Sequence, residues 1–172
     1  MEKLIVIRYG ELSTKKSNIN QFLTRLKDNI SFAISKYDFT IYFDRGRMFI
    51  ETENIEEVIE ELKFVPGIQG IVVAYKMLSD ENIIKDNILH LLNEKEFKSF
   101  KVTTKRSDKQ FPITSMDFSK EIGAHILKNI EGLKVNVLNP ELEVKIEIRK
   151  KDTYVYLDEI KGLGGYPVGT NG

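Results

Sequence analysis

The sequence predicts an α+β protein built as two successive α/β units, and three observations carry that expectation. Apolar residues recur at helical spacing in four separate stretches, β-branched and aromatic runs fall between them, and glycine, proline or asparagine marks the joins. With 172 residues the chain has room for two small domains of roughly 80 residues each. Its hydrophobic content of 41% and charged content of 30% exclude a disordered chain.

The first unit opens on Leu4-Ile5-Val6-Ile7, a continuous apolar run that suits a strand covered on both faces. After a turn at Arg8–Leu12 and a polar stretch carrying Lys15 and Lys16, residues Ile19, Phe22, Leu23, Leu26, Ile30 and Ala33 form one stripe of a long helix. Tyr37–Phe43 is a strand, Asp44-Arg45-Gly46-Arg47 a tight turn, and Met48-Phe49-Ile50 the returning hairpin partner. Asn54, with Glu57 three residues on, reads as a capping box opening a helix with the stripe Ile55, Val58, Ile59 and Leu62. Pro66-Gly67 ends it, and Ile68–Tyr75 is the next strand. The order β-α-β-β-α-β is the ferredoxin-like arrangement.

The second unit starts with a helix capped by Ser79 and striped by Ile84, Ile88, Leu91 and Leu92. Phe100, Val102 and Thr104 alternate as a strand, which runs into Lys105-Arg106-Ser107-Asp108-Lys109 and is stopped at Phe111-Pro112. Ser115 is the expected N-cap of a helix carrying Phe118, Ile122, Ile126 and Ile130, with Gly132 as its stop. Val135 and Val137 suggest a short strand. Val144, Ile146 and Ile148 alternate with charged residues as a strand buried on one face, and Tyr154–Leu157 is its hairpin partner across Lys150-Lys151-Asp152. The tail Lys161–Gly172 is glycine-rich without apolar period. It reads as a linker, because a phosphate-cradling glycine loop needs a helix after it. The domains expected are thus 1–77, 78–161, and the linker 162–172.

Charge gives no global argument for a polyanion partner: 26 basic residues balance 26 acidic ones. Binding of an anion has to come from local clusters. The cations fall into groups: Arg8, Lys15 and Lys16 after the first strand, Arg45 and Arg47 in the first hairpin, and Lys101, Lys105, Arg106 and Lys109 in the central stretch, with Lys150 and Lys151 in the last hairpin. A strand that delivers cations to a helix N-terminus suits a phosphate, and basic residues beside an aromatic such as Phe111 suit RNA. The residues alone are equally compatible with a solvated loop. The chain has no cysteine, which excludes disulfides, thiolate metal sites and cysteine nucleophiles. His90 and His125 are lone histidines on predicted helices, which reads as structural or exposed, and the acidic face Glu56, Glu57, Glu60 and Glu61 reads as solvated. No metal site and no catalytic constellation is expected, so the chain reads as a binding module. No run is apolar enough for a signal or a membrane span, and a cytoplasmic location is the default.

Several stretches, in order along the chain, resemble one family. Ile7–Lys15 (IRYGELSTK) looks like the opening of bacterial 4-thiouridine synthetase, the tRNA sulfurtransferase also tied to thiamine biosynthesis. Arg45–Glu51 (RGRMFIE) is similar too. Phe100–Ser115 looks like the signature of its THUMP domain, and Lys161–Gly172 like the linker preceding its ATP-pyrophosphatase loop. The resemblance implies a ferredoxin-like domain followed by an α/β THUMP domain that binds the acceptor end of tRNA. It assigns Lys105, Arg106, Lys109, Phe111 and Pro112 to the RNA-facing signature. Lys101, Ser115, Arg149, Lys15, Lys16, Arg45 and Arg47 complete the candidate RNA-binding set.

In the family a separate catalytic domain uses ATP, expected with magnesium, to adenylate the uracil oxygen, and a cysteine desulfurase supplies the sulfur. Neither the SGGxDS loop nor a sulfur-carrying cysteine occurs in these 172 residues, so no cofactor is expected in this chain. The family's glycine, lysine, asparagine and arginine after the residue matching Lys15 are replaced by Lys16, Ser17, Asn18 and Ile19, which weakens the claim of that turn on RNA. The alternatives are a THUMP module of a tRNA methyltransferase, deaminase or pseudouridine synthase, and a ferredoxin-like interaction or small-ligand domain without RNA.

Overall fold

The computed structural model describes residues 1–10, 16–44 and 47–165, with residues 16–18, 158 and 161 described by their backbone. The elements are β1 (Glu2–Tyr9), α1 (Lys16–Ala33), β2 (Thr40–Asp44), β3 (Arg47–Glu51), α2 (Ile55–Leu62), β4 (Ile68–Leu78), α3 (Glu81–Leu92), β5 (Ser99–Arg106), α4 (Ser115–Asn129), β6 (Lys134–Val135), β7 (Leu142–Ile148) and β8 (Asp152–Lys161). Two compact units divide the chain: Leu4–Val73 with the segment from Glu159 onward, and Ala74–Asp158 with Met1–Lys3. The divisions fall inside β4 and β8.

In the N-terminal unit the strands lie in the order β2-β3-β1-β4, the ferredoxin-like order. The β2–β3 hairpin pairs Thr40 with Glu51 through to Asp44 with Arg47, and β3 pairs with β1 antiparallel, Ile5 opposite Ile50. Side chains alternate across a strand, so Ile5, Ile7, Met48 and Ile50 share one face. On that face they meet Phe22, Leu26 and Ile30 of α1 and Val58, Ile59 and Leu62 of α2 in one buried cluster. The expected stripe of α2 is therefore core throughout, and that of α1 is core at Phe22, Leu26 and Ile30, with Leu23 and Ala33 partly buried beside them. The expected capping box is absent. Asn54 makes no side-chain cap, and its own amide donates to Thr52 Oγ1 (3.2 Å) in place of Glu57. Gly67, at φ 99°, makes the turn into β4.

The glycine-rich tail begins as an ordered edge. Gly162 N donates to Gln69 O (3.0 Å), Gly164 N to Ile68 O (2.7 Å), and Gly67 N to Gly164 O (2.8 Å). A Cβ on Gly162 would overlap the Ile68 carbonyl, so only glycine lets the two backbones approach this closely. The linker from Tyr166 on lies outside the described residues.

In the C-terminal unit the order is β4-β8-β7-β5-β6. β5 runs parallel to both β6 and β7, and β8 returns antiparallel to β7. One buried cluster joins Ile84, Ile88, Leu91 and Leu92 of α3 and Phe118, Ile122 and Ile126 of α4 to Phe100, Val144, Ile146, Ile148 and Val155, so both helices cover the same face of the sheet. Two caps differ from expectation by one residue. Asp80, not Ser79, caps α3, accepting from the amides of Asn82 and Ile83 (both 3.0 Å). Ser79 instead joins the last hairpin: its hydroxyl donates to Arg149 O (2.7 Å) and meets Thr153 Oγ1 (2.8 Å). Thr114, not Ser115, caps α4, its Oγ1 accepting from Asp117 N (3.3 Å). The expected strand at Val135 and Val137 stops at Val135, and both valines are exposed.

Candidate nucleic-acid interface

Parallel strands put their C-terminal ends, and the loops after them, on one side. In the C-terminal unit β5 ends at Arg106 and β7 at Ile148, opposite one another in the ladder. Ser107 continues the pairing, its amide (2.9 Å) and hydroxyl (3.2 Å) both donating to Ile148 O. Ser79 N donates to Lys151 O (2.9 Å), which brings the end of β4 to the same place. The loop 107–114 and the turn Arg149–Asp152 are thereby neighbours, although they lie about 40 residues apart in sequence.

Lys105, Lys109, Lys150 and Lys151 stand exposed at this end. None of the four pairs with a carboxylate among the described residues. The acids nearby are engaged elsewhere. Asp108 Oδ1 accepts from Gln110 N (3.0 Å), Asp152 lies 3.9 Å from Lys76, and Asp80 caps α3. Four solvated ammonium groups without partners form a local positive field in a chain of zero formal charge. Lys150 and Lys151 fall outside the expected set. Only the long-range pairing of β5 with β7 brings them beside Lys105.

The other expected residues are placed as follows. Lys101 and Lys105 lie on the helix-free face of the sheet, opposite Glu143 and Glu147, whereas Thr104 faces α4 and bonds Ser119 (2.8 Å). Glu143 accepts from Thr103 Oγ1 (3.4 Å), and Glu147 is held by Arg149, so neither bridges the lysine opposite. Arg149 is not a free cation: its Nη2 lies 3.1 Å from Glu147 Oε1, and its guanidinium sits 5.0 Å over the Tyr154 ring. Tyr156 donates to the other Glu147 oxygen (3.3 Å), which completes an ion pair that is nearly buried. Phe111 also departs from expectation. It is 5% exposed, its ring edge-on to Phe118 at 5.3 Å, because an apolar ring next to an open core position gains more by burial than by standing in water. Its face is not available to a base here. Pro112 is exposed and Ser115 half-buried at the first turn of α4.

Met116, 70% exposed and four residues after Pro112, is an apolar side chain that the sequence did not single out. Arg47 belongs to the N-terminal unit, in register with Asp44. Lys15 and Arg45 lie outside the described residues, as does the side chain of Lys16. In that unit Tyr9 packs its ring 6.1 Å from Phe22, and burial raises its pKa, so the phenol stays neutral. Among the described residues no three of His, Cys, Asp and Glu gather to hold a metal ion, and no helix is long and apolar enough to cross a membrane.

Residues 4–72 match the ThiI ferredoxin-like domain model and residues 79–158 match the THUMP domain model, so the chain carries a ferredoxin-like domain followed by a THUMP domain. More particularly, it is similar to the tRNA sulfurtransferases. It is 44% identical, over its whole length, to a probable tRNA sulfurtransferase of Clostridium kluyveri, and 43% identical over 98% of its length to that of Geobacillus kaustophilus. The chain spans 45% and 43% of those proteins, less than half of each. Among solved structures it is similar to PH1313 of Pyrococcus horikoshii (TM-score 0.83, 31% identity, 98% of this chain and 58% of that one). It is also similar to a 4-thiouridine synthetase crystallised with RNA and ATP (TM-score 0.85, 26% identity, 100% and 45%). TrmN of Thermus thermophilus, at 15% identity and a TM-score of 0.58, shares the fold alone.

Proposed function

We propose that this chain is the tRNA-binding part of a tRNA sulfurtransferase that makes 4-thiouridine near the acceptor stem, and that it holds the acceptor end for a catalytic domain elsewhere in the longer protein. The observation that carries the reading is the group Lys105, Lys109, Lys150 and Lys151, exposed at one end of the THUMP sheet without carboxylate partners among the described residues. Ammonium groups left unpaired by the protein are free to replace the counterions of a phosphate backbone. The likeness to a 4-thiouridine synthetase captured with RNA supports the choice of ligand.

On this reading adenylation with ATP and magnesium, and receipt of sulfur from a cysteine desulfurase, fall to the rest of the longer protein. The cytoplasm, where tRNA is modified, is its location, and the link to thiamine biosynthesis accompanies the family. Gel-shift titration of a tRNA acceptor minihelix across a salt series tests it. Affinity is expected to fall steeply with salt, and Lys105→Ala with Lys109→Ala to weaken binding and flatten the slope. Binding indifferent to salt, or to both substitutions, would overturn the reading.

A further inference from the structure

One arginine of the interface points into its own loop. Arg106 Nη1 donates to the carbonyl oxygens of Phe111 (2.9 Å) and Ile113 (3.1 Å), so a single nitrogen ties the end of β5 to the far side of the loop. Among the described residues no carboxylate shares this guanidinium. Otherwise the loop's backbone is held by neutral or short-range bonds: Gln110 N to Asp108 Oδ1 (3.0 Å) and Phe111 N to Asp108 O (3.3 Å). The buried Phe111 ring anchors the same turn to α4. Between these fixed points stand the exposed Lys109 and Pro112.

We infer that Arg106 is a positioning residue: it closes loop 107–113 over the end of β5, and so sets Lys109 and Pro112 in place before nucleic acid arrives, instead of meeting a phosphate itself. Hydrogen bonds from a charged donor are the stronger kind, and two on neighbouring carbonyls hold a turn that its own amides close only weakly. A loop already closed does not lose that freedom on binding. What the loop meets rests on the function proposed above; the closure itself does not.

Arg106→Lys is the informative substitution, because it keeps the charge but loses the planar guanidinium whose Nη1 reaches both carbonyls. Amide hydrogen exchange on the 172-residue chain without RNA is expected to quicken about tenfold or more at Gln110 and Phe111, whose amides close the turn, with Ile122 and Ile146 still protected. Minihelix affinity is expected to fall about fivefold or more at an unchanged salt slope. Unchanged exchange at the two amides, or affinity kept by lysine, overturns the inference. Arg106→Gln gives a second reading: a slope reduced by about 0.7–0.9 with exchange unaltered marks a direct phosphate contact and also overturns it. If the wild-type chain fails to bind the minihelix at all, the proposed function fails, and the exchange measurement alone decides on the closure.

Discussion

Phe111 and Lys109 stand two residues apart in one loop and face opposite solvents. The ring of Phe111 is buried against Phe118, so its removal opens a cavity in the core of the C-terminal unit. Phe111→Ala is expected to cost about 3–5 kcal/mol, read by chemical denaturation, and to weaken RNA binding only through the fold. A variant as stable as wild type would show that the ring is not part of the core. Lys109 is exposed and unpaired. Lys109→Ala should leave stability within about 0.5 kcal/mol and lower the salt slope of minihelix binding by about 0.7–0.9, the signature of one phosphate contact. Sequence spacing does not separate these two roles. A strand end with cations and an aromatic reads the same whether the ring turns out to a base or in to a helix, and the choice depends on whether the core has room for it.

Each helix of the C-terminal unit is capped one residue away from where its sequence suggests, and at α3 the shift has a cause. At the start of α3, Ser79 and Asp80 both qualify as caps, but the hydroxyl of Ser79 is taken by Arg149 O and Thr153, which leaves the cap to Asp80. Asp80→Ala is expected to cost about 1 kcal/mol through the helix end, and Thr114→Ala a similar amount at α4, whereas Ser115→Ala should cost a few tenths. Thermal melts of the three variants check the assignment; an equal loss for Ser115 would restore it as the cap. The edge segment after β8 makes a different demand. Gly162→Ala would drive a methyl into the Ile68 carbonyl, so it is expected to destabilise by about 1–3 kcal/mol and to speed exchange at Gly162 and Gly164. The same change at Gly123, whose Cβ would meet nothing, is the control.

For the molecule as a whole, a formal charge of zero means that any grip on nucleic acid comes from local clusters and not from a general field. Four lysines at the end of the THUMP sheet should give a log–log salt slope of about −3 for minihelix binding, and a slope near zero would leave no room for a phosphate interface there. The apolar periods 3.6 and 2 were enough, with no coordinates, to locate all four helices and their buried stripes, the first hairpin and the one-face-buried β7, because side-chain burial repeats with the local geometry of each element. Motif resemblance added the two domain types. What spacing could not reach was every relation between distant stretches: Lys150 and Lys151 beside Lys105, Arg149 withdrawn onto Glu147 and Tyr154, Ser79 diverted to the last hairpin, and Arg106 turned back on its own loop. Those were decided by strand pairing and by competition for hydrogen-bond partners, which bring together residues that the linear order keeps apart.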